Sequence, residues 1–275
     1  MPELPEVEIT RRGLLPLEGQ TVKNVVIRNA SMRWPIPAHL PQTLKNQTLI
    51  ALTRRAKYIL AEFQHNQQIC GTLLLHLGMS GRISLLDRNY PPEKHDHFDI
   101  EFNDHQVLRL RDPRRFGAVL WAGLQPNQHA LLAALGPEPL SDDFNGKILH
   151  AHILTKSAAI KTTIMDGHLV AGVGNIYASE SLFRARINPQ TPANKVTLKQ
   201  CVNLVAEIKA TLNDALNAGG SSLRDFFGTD GNPGYFQQEY FVYGRTGEPC
   251  KVCTKAIVCI RLGQRSTFFC PACQK

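Results

Sequence analysis

Two C-x-x-C pairs near the end of the chain constrain its fold more tightly than any other feature. Cys250-x-x-Cys253 is followed, after sixteen residues, by Cys270-x-x-Cys273. A segment this short cannot bury a sufficient core, and a tetrahedral four-cysteine zinc site supplies the missing cross-link. The residues between the pairs pattern as a hairpin: Ile257–Leu262 is one strand, Gly263-Gln264 a two-residue turn, and Arg265–Phe269 the other strand. A closed four-sulfur site is structural, so one Zn2+ is expected here, stiffening the hairpin rather than performing chemistry. Arg265 falls at the hairpin tip, where a cation can meet a phosphate; a solvated surface arginine is the plain alternative.

The remaining cysteines, Cys70, Cys201 and Cys259, lie in apolar stretches and are expected as free thiols, which suits a reducing, cytoplasmic compartment. The start of the chain has neither the basic opening nor the apolar run of a signal peptide, and no stretch approaches the length of a membrane span. The 275 residues carry a net charge of +8. That balance suits a polyanionic partner, although a basic soluble protein would also show it.

The hydrophobic period changes once, near residue 135. Before it, short alternating or apolar runs predict strands over 21–27, 69–77, 98–102, 107–111 and 118–121, and Leu49–Leu60 has apolar ends around a basic knot. Gly, Pro and Asn breaks between such runs suggest a β-sandwich or barrel. A short helix is expected over 9–20, with Arg11 and Arg12 facing outward. After Gly136-Pro137-Glu138-Pro139 the period becomes helical. Ser141 or Asp142 can cap a helix bearing Phe144, Ile148, Leu149 and Ile153, and a second helix follows Asn175. The third starts at a Thr197–Gln200 capping box, keeps Leu198, Val202, Val205, Ile208, Leu212 and Leu216 on one face, and stops at Gly219-Gly220. The fold class is therefore α+β. Gly172-Val173-Gly174-Asn175 is a glycine turn into a helix N-terminus, suited to a phosphate or to an ordinary tight helix–helix turn. Residues 221–239 are glycine-rich, as expected of a lid or of a disordered segment.

The first eight residues, MPELPEVE, carry the most specific chemistry. If Met1 is trimmed, Pro2 presents a secondary amine with a pKa of roughly 8, partly neutral and nucleophilic near neutral pH. Attack on a sugar carbon would give a cationic iminium, and Glu3 beside it can handle protons. Taken alone, the motif equally describes a proline-stiffened entry into a helix or strand.

Set together, PELPEVE (2–8), RRAKY (54–58), HLGMSGR (76–82), PPEKHDHFD (91–99), DPRRFGA (112–118), LGPEPLSDDFNG (135–146), GVGNIYASE (172–180) and the terminal QRSTFFCPACQK make the whole chain resemble the bacterial formamidopyrimidine-DNA glycosylases. The resemblance implies an N-terminal β-sandwich domain (1–134), a helix–two-turn–helix DNA-binding domain with a lesion-capping loop (135–240) and a zinc hairpin (241–275), with DNA crossing the cleft between the sandwich and the remainder. It implies a monomer acting on double-stranded DNA that contains an oxidised purine or an abasic site. Pro2 then matches the nucleophile, Glu3 the proton donor in base loss, Lys57 the β-elimination residue and Arg265 the δ-elimination residue. Arg54 and Arg55 would depress the Lys57 pKa; a phosphate clamp is the alternative role for Lys57. His95, Arg114 and Lys156 match DNA-contacting positions, and Asn175 the phosphate-binding asparagine. Met79, Arg114 and Phe116 match the trio that fills the hole left by an extruded nucleotide; without the resemblance, Met79 and Phe116 would be taken as core. An endonuclease VIII-like enzyme for oxidised pyrimidines, or a zinc-containing DNA-binding protein without catalysis, are the competing readings. Arg224, where relatives often carry lysine, leaves base preference the least determined property.

Overall fold

The computed structural model describes residues 2–219 and 240–275. The chain divides into two compact units, the first running to Ala133 and the second built on Ala134–Asn217 and the carboxy-terminal segment. The 221–239 lid reading lies outside the described residues.

The first unit opens with α1 (Leu4–Gly13). The helix begins inside PELPEVE, five residues before the expected start. Pro5 sits in its first turn, where a missing N–H costs nothing, and Glu6 reaches back to accept from the Glu3 backbone N–H at 2.8 Å. Arg11 does not face outward; it reaches the Leu52 carbonyl at 2.9 Å. The helix ends at Gly13, and a 3-10 turn (Leu15–Leu17) takes the chain to β1 (Val22–Ile27). The short α2 (Leu40–Leu44) precedes β2 (Thr48–Arg55), β3 (Tyr58–His65), β4 (Gln68–His76), β5 (Arg82–Asp87), β6 (Asp96–Phe102), β7 (Gln106–Arg111) and β8 (Ala118–Gly123).

These strands form two four-stranded sheets, ordered β1-β6-β7-β5 and β2-β3-β4-β8, with every pairing antiparallel. Their inner faces share one core containing Val25, Phe98, Ile100 and Leu108 from the first sheet and Leu52, Phe63, Leu73 and Val119 from the second. This is the expected sandwich. The basic knot proves to be the turn of the β2–β3 hairpin, with Ala56 at φ +52° and Lys57 beside it. β5, absent from the sequence expectation, pairs with β7.

The first unit closes with α3 (Ala130–Ala133); the second contains α4 (Gly146–Ile153), α5 (Ile160–Ile164), α6 (Asn175–Arg184) and α7 (Leu198–Asn217). The cap of α4 is Asn145, whose Oδ1 accepts from Lys147 N and Ile148 N, rather than Ser141 or Asp142. Phe144 lies ahead of the helix and is fully buried. Two successive turns join α5 to α6, giving a helix–two-turn–helix region. The capping box of α7 is present: Thr197 N donates to Gln200 Oε1 at 2.9 Å, and Gln200 N to Thr197 Oγ1 at 3.3 Å. Its buried face holds Cys201, Leu204, Val205, Ile208 and Leu212, whereas Leu198 and Val202 are exposed. The chain ends in the expected hairpin, β9 (Val258–Leu262) and β10 (Arg265–Phe269), with Gly263 and Gln264 both at positive φ.

Candidate active site and nucleic-acid interface

In the first unit, α1 fixes the PELPEVE stretch. Glu3, its N-cap, is 1 % exposed, and Pro2 just ahead is half-buried. A terminal amine carried by Pro2 is thus delivered beside a buried carboxyl group.

Glu8 ties this helix to the hairpin that bears Lys57. It accepts from Arg11 at 2.8 Å, Arg12 at 2.8 Å and Arg54 at 3.3 Å. Burial alone would raise the Glu8 pKa; the hydrogen bonds from Arg11 and Arg12 and the neighbouring Arg54 charge outweigh it and hold the carboxyl below its ordinary value. Arg54 also donates to the Ala56 carbonyl at 2.9 Å, which braces the left-handed turn next to Lys57. The Arg54 charge, expected from the sequence to act on Lys57, is therefore shared with Glu8.

His76, at the end of β4, lies against Tyr58 with ring centroids 4.8 Å apart. Burial, reinforced by the charges of Lys57 and Arg33, lowers its pKa to about 4. The Gly78 N–H donates to its Nδ1 at 3.1 Å, which places the proton of the neutral ring on Nε2. Met79 follows in the turn after β4 and is half-buried. Arg114 and Phe116 are exposed on the loop between β7 and β8, with the guanidinium 4.8 Å from the ring centroid. Phe116 is 42 % exposed, so it is no core residue. His95 is half-buried just before β6, its ring 6.3 Å from that of His97.

In the second unit, Asn175 is the first residue of α6 and is buried. Its side chain faces the zinc hairpin: Nδ2 donates to the Ser266 carbonyl at 3.0 Å, and Oδ1 accepts from Lys161 Nζ at 2.5 Å. Lys161, 1 % exposed, also donates to Thr267 Oγ1 at 2.8 Å and to the Ser266 carbonyl at 3.2 Å. One buried ammonium thereby joins α5, α6 and β10, and β10 starts with the exposed Arg265. Glu180, midway along α6, makes a further contact, accepting from the backbone N–H groups of Phe241, Val242 and Tyr243 at 2.8–2.9 Å. Burial raises its pKa against the pull of those three donors. Lys156 is half-buried in the turn after α4, where its carbonyl accepts from Asn194 N at 2.9 Å.

The four sulfurs of Cys250, Cys253, Cys270 and Cys273 lie within 4.8 Å of one another. Cys250 and Cys273 are 3.9 Å apart, and Cys253 and Cys270 are 3.4 Å apart. A tetrahedral zinc with Zn–S bonds of about 2.3 Å needs sulfurs about 3.8 Å apart, so the set fits one structural zinc. All seven cysteines are free of disulfides; Cys259 is exposed rather than enclosed in apolar surroundings.

Sequence reasoning missed Glu8, His76, Lys161 and Glu180. All but Lys161 stand in a quoted motif. Their roles come from partners distant in the chain, which no local pattern encodes.

Three family models match successive segments. Residues 1–119 match the formamidopyrimidine-DNA glycosylase N-terminal domain, 135–227 the formamidopyrimidine-DNA glycosylase H2TH domain, and 247–275 a zinc finger found in FPG and IleRS. Fold and site together define a DNA-repair glycosylase with a carboxy-terminal zinc finger. Among its relatives, the formamidopyrimidine-DNA glycosylase of Methylobacillus flagellatus is 66 % identical over 275 residues, covering 100 % of this chain and 97 % of that protein. The one from a Janthinobacterium species is 52 % identical over 279 residues, with 100 % of both chains covered. Among solved structures, Lactococcus lactis Fpg complexed with abasic-site DNA superposes with a TM-score of 0.91 at 33 % identity and full coverage of both chains. The MutM (FPG) protein of Thermus thermophilus gives 0.87 at 35 % identity, covering 99 % of this chain and 98 % of that one. The chain belongs to the formamidopyrimidine-DNA glycosylase family.

Proposed function

We propose that this protein is a bifunctional DNA glycosylase and AP lyase that removes oxidised purines, 8-oxoguanine and formamidopyrimidines, from duplex DNA. The observation that carries the reading is the delivery of Pro2 beside the buried Glu3 at the start of a rigid helix. With Met1 removed, the Pro2 amine attacks C1′. The N-glycosidic bond breaks and the base leaves with a proton supplied from Glu3; the amine gives up its proton, the C1′–O4′ bond opens with a proton taken up by O4′, and a protein–sugar iminium remains. Loss of a C2′ proton, assisted by Lys57, expels the 3′ phosphate. A second elimination expels the 5′ phosphate, where Arg265 steadies the leaving phosphate as a fixed cation.

His95, Arg114 and Lys156 hold the DNA backbone and the orphaned base in this reading, and the glycine turn before Asn175 offers backbone donors to a phosphate. Met79 and Phe116 fill the vacated stack. Zinc supplies no chemistry; it stiffens the hairpin that presents Arg265. The working domains are 1–134, 135–240 and 241–275, and the protein acts as a monomer in the cytoplasm, on the nucleoid. The abasic-site and lesion DNA bound by the Lactococcus lactis structures supports the same partner here.

Borohydride trapping on a duplex with one 8-oxoguanine opposite cytosine tests the proposal. A trapped adduct mapping to residue 2, absent in Pro2→Gly, is the expected result. Tight binding without any adduct, or an intact mass that retains Met1, would refute the mechanism. Stronger release of thymine glycol than of 8-oxoguanine would refute the substrate assignment.

A further inference from the structure

Asp112 is 0 % exposed, yet the machinery described above does not use it. Its Oδ1 accepts from Ser80 Oγ at 2.6 Å and from Arg114 N at 3.2 Å, and its Oδ2 accepts from Gly117 N at 2.8 Å. Ser80 Oγ in turn faces Arg114 N at 3.2 Å. The main chain of Asp112 is fixed as well: its N–H donates to the His95 carbonyl at 3.0 Å, and its carbonyl lies 2.9 Å from His97 Nε2. One carboxylate therefore spans two loops, 77–81 with Met79 and 112–117 with Arg114 and Phe116.

The two loops also meet backbone to backbone. A Cβ on Gly78 would lie 2.4 Å from the Phe116 carbonyl carbon and 2.5 Å from Gly117 N, and Gly78 has φ +62°. A Cβ on Gly117 would lie 2.7 Å from the His76 carbonyl oxygen. No side chain separates the loops, so a shift of one displaces the other. The 77–81 loop is itself closed by Gly81 N donating to the Leu77 carbonyl at 2.8 Å.

We propose that Asp112 is a positioning residue that locks these loops into one body, so that Met79, Arg114 and Phe116 enter the duplex together and opposite-base readout is coupled to lesion extrusion. This rests on the trio filling the vacated stack. If Arg114 cannot settle against the orphaned base, Phe116 and Met79 are withheld too, and discrimination at the opposite base becomes discrimination in extrusion. Independent loops would allow the wedge to insert whichever base stood opposite.

The test uses the full-length zinc-loaded protein and the variants Asp112→Asn and Ser80→Ala. An asparagine presents one acceptor and one donor, so either Gly117 N–H or the Ser80–Arg114 pair loses its carboxylate oxygen. Single-turnover excision is measured on duplexes with 8-oxoguanine opposite cytosine and opposite adenine, and cleavage on a preformed abasic site. A 2-aminopurine next to the lesion reports unstacking. Loss of a hydrogen bond to a charged group is worth on the order of tenfold or more. Asp112→Asn is therefore expected to lower 8-oxoguanine excision about tenfold relative to abasic-site cleavage, to shrink the cytosine-over-adenine preference, and to slow the 2-aminopurine rise. Ser80→Ala should do the same more weakly, and the double variant should be less than additive.

Equal losses on lesion and abasic substrates with an unaltered opposite-base ratio would overturn the proposal, reducing Asp112 to a loop stabiliser; so would wild-type behaviour of Asp112→Asn. Met79→Ala, Arg114→Ala and Phe116→Ala separate the two levels. If they leave unstacking and the opposite-base ratio unchanged, the trio reading fails and the coupling with it. If they alter both while Asp112→Asn does not, only the coupling fails.

Discussion

A neutral histidine and a buried lysine illustrate what individual residues contribute. The folded pKa of His76 is about 4, below the ordinary 6.5. Between those values the unfolded chain binds more protons than the folded one, so stability rises with pH across the window. The contribution is complete above pH 6.5, is lost as the pH falls toward 4, and amounts to about 3 kcal/mol. His76→Gln should flatten the slope of unfolding free energy between pH 6.5 and 4; an unchanged slope would mean that other groups carry it. Lys161 poses the opposite problem, a buried cation whose value lies in its three acceptors. Lys161→Met would take one charged donor away from each of Asn175 Oδ1, Ser266 O and Thr267 Oγ1. A loss of about 3 kcal/mol in urea unfolding is expected, together with weaker DNA binding from a loosened β10. Lys161→Arg, too bulky for the same pocket, should rescue little.

At the scale of elements, the clearest contrast is between α7 and the zinc hairpin. α7 is specified locally: a capping box starts it, and an apolar stripe seats it from Cys201 onward. Thr197→Ala should cost about 1 kcal/mol, read as a lower urea midpoint. Among the described residues, β9 and β10 have beneath them a small cluster around Phe183, Val242, Cys250, Ile257 and Cys270. Removing zinc should abolish amide-exchange protection over 247–275 while α4 and α6 stay protected, and DNA binding should fall with it, since Arg265 would lose its support. Protection that survives proven metal loss would assign the stability to the apolar cluster instead. α1 shows how local signals can be misplaced. Its prolines leave a helix or a strand entry open and the helix is expected from residue 9, yet Pro5 and Glu6 are a helix start once Glu3 is recognised as the cap.

For the whole molecule, a net charge of +8 implies an electrostatic share in DNA binding. The logarithm of affinity should fall linearly with the logarithm of salt, and Lys156→Ala or Arg265→Ala should each reduce the slope by about one; a flat response would contradict the DNA reading. The sequence by itself determined the α+β division, most strands, the capping box of α7 and the four-cysteine hairpin. These are written in period, turn chemistry and ligand spacing, all of which act between near neighbours. Tertiary structure alone decided that β5 joins the first sheet, that Asn145 caps α4, and that Phe116 projects outward rather than joining the core. It also decided the partners of the buried charges: Glu8 with Arg54, Lys161 with Asn175 and Thr267, Glu180 with three amides, and Asp112 with Ser80 and Gly117. A buried charge is tolerable only with several well-placed partners. Folding brings those partners together from positions far apart in the chain, and no local pattern can name them.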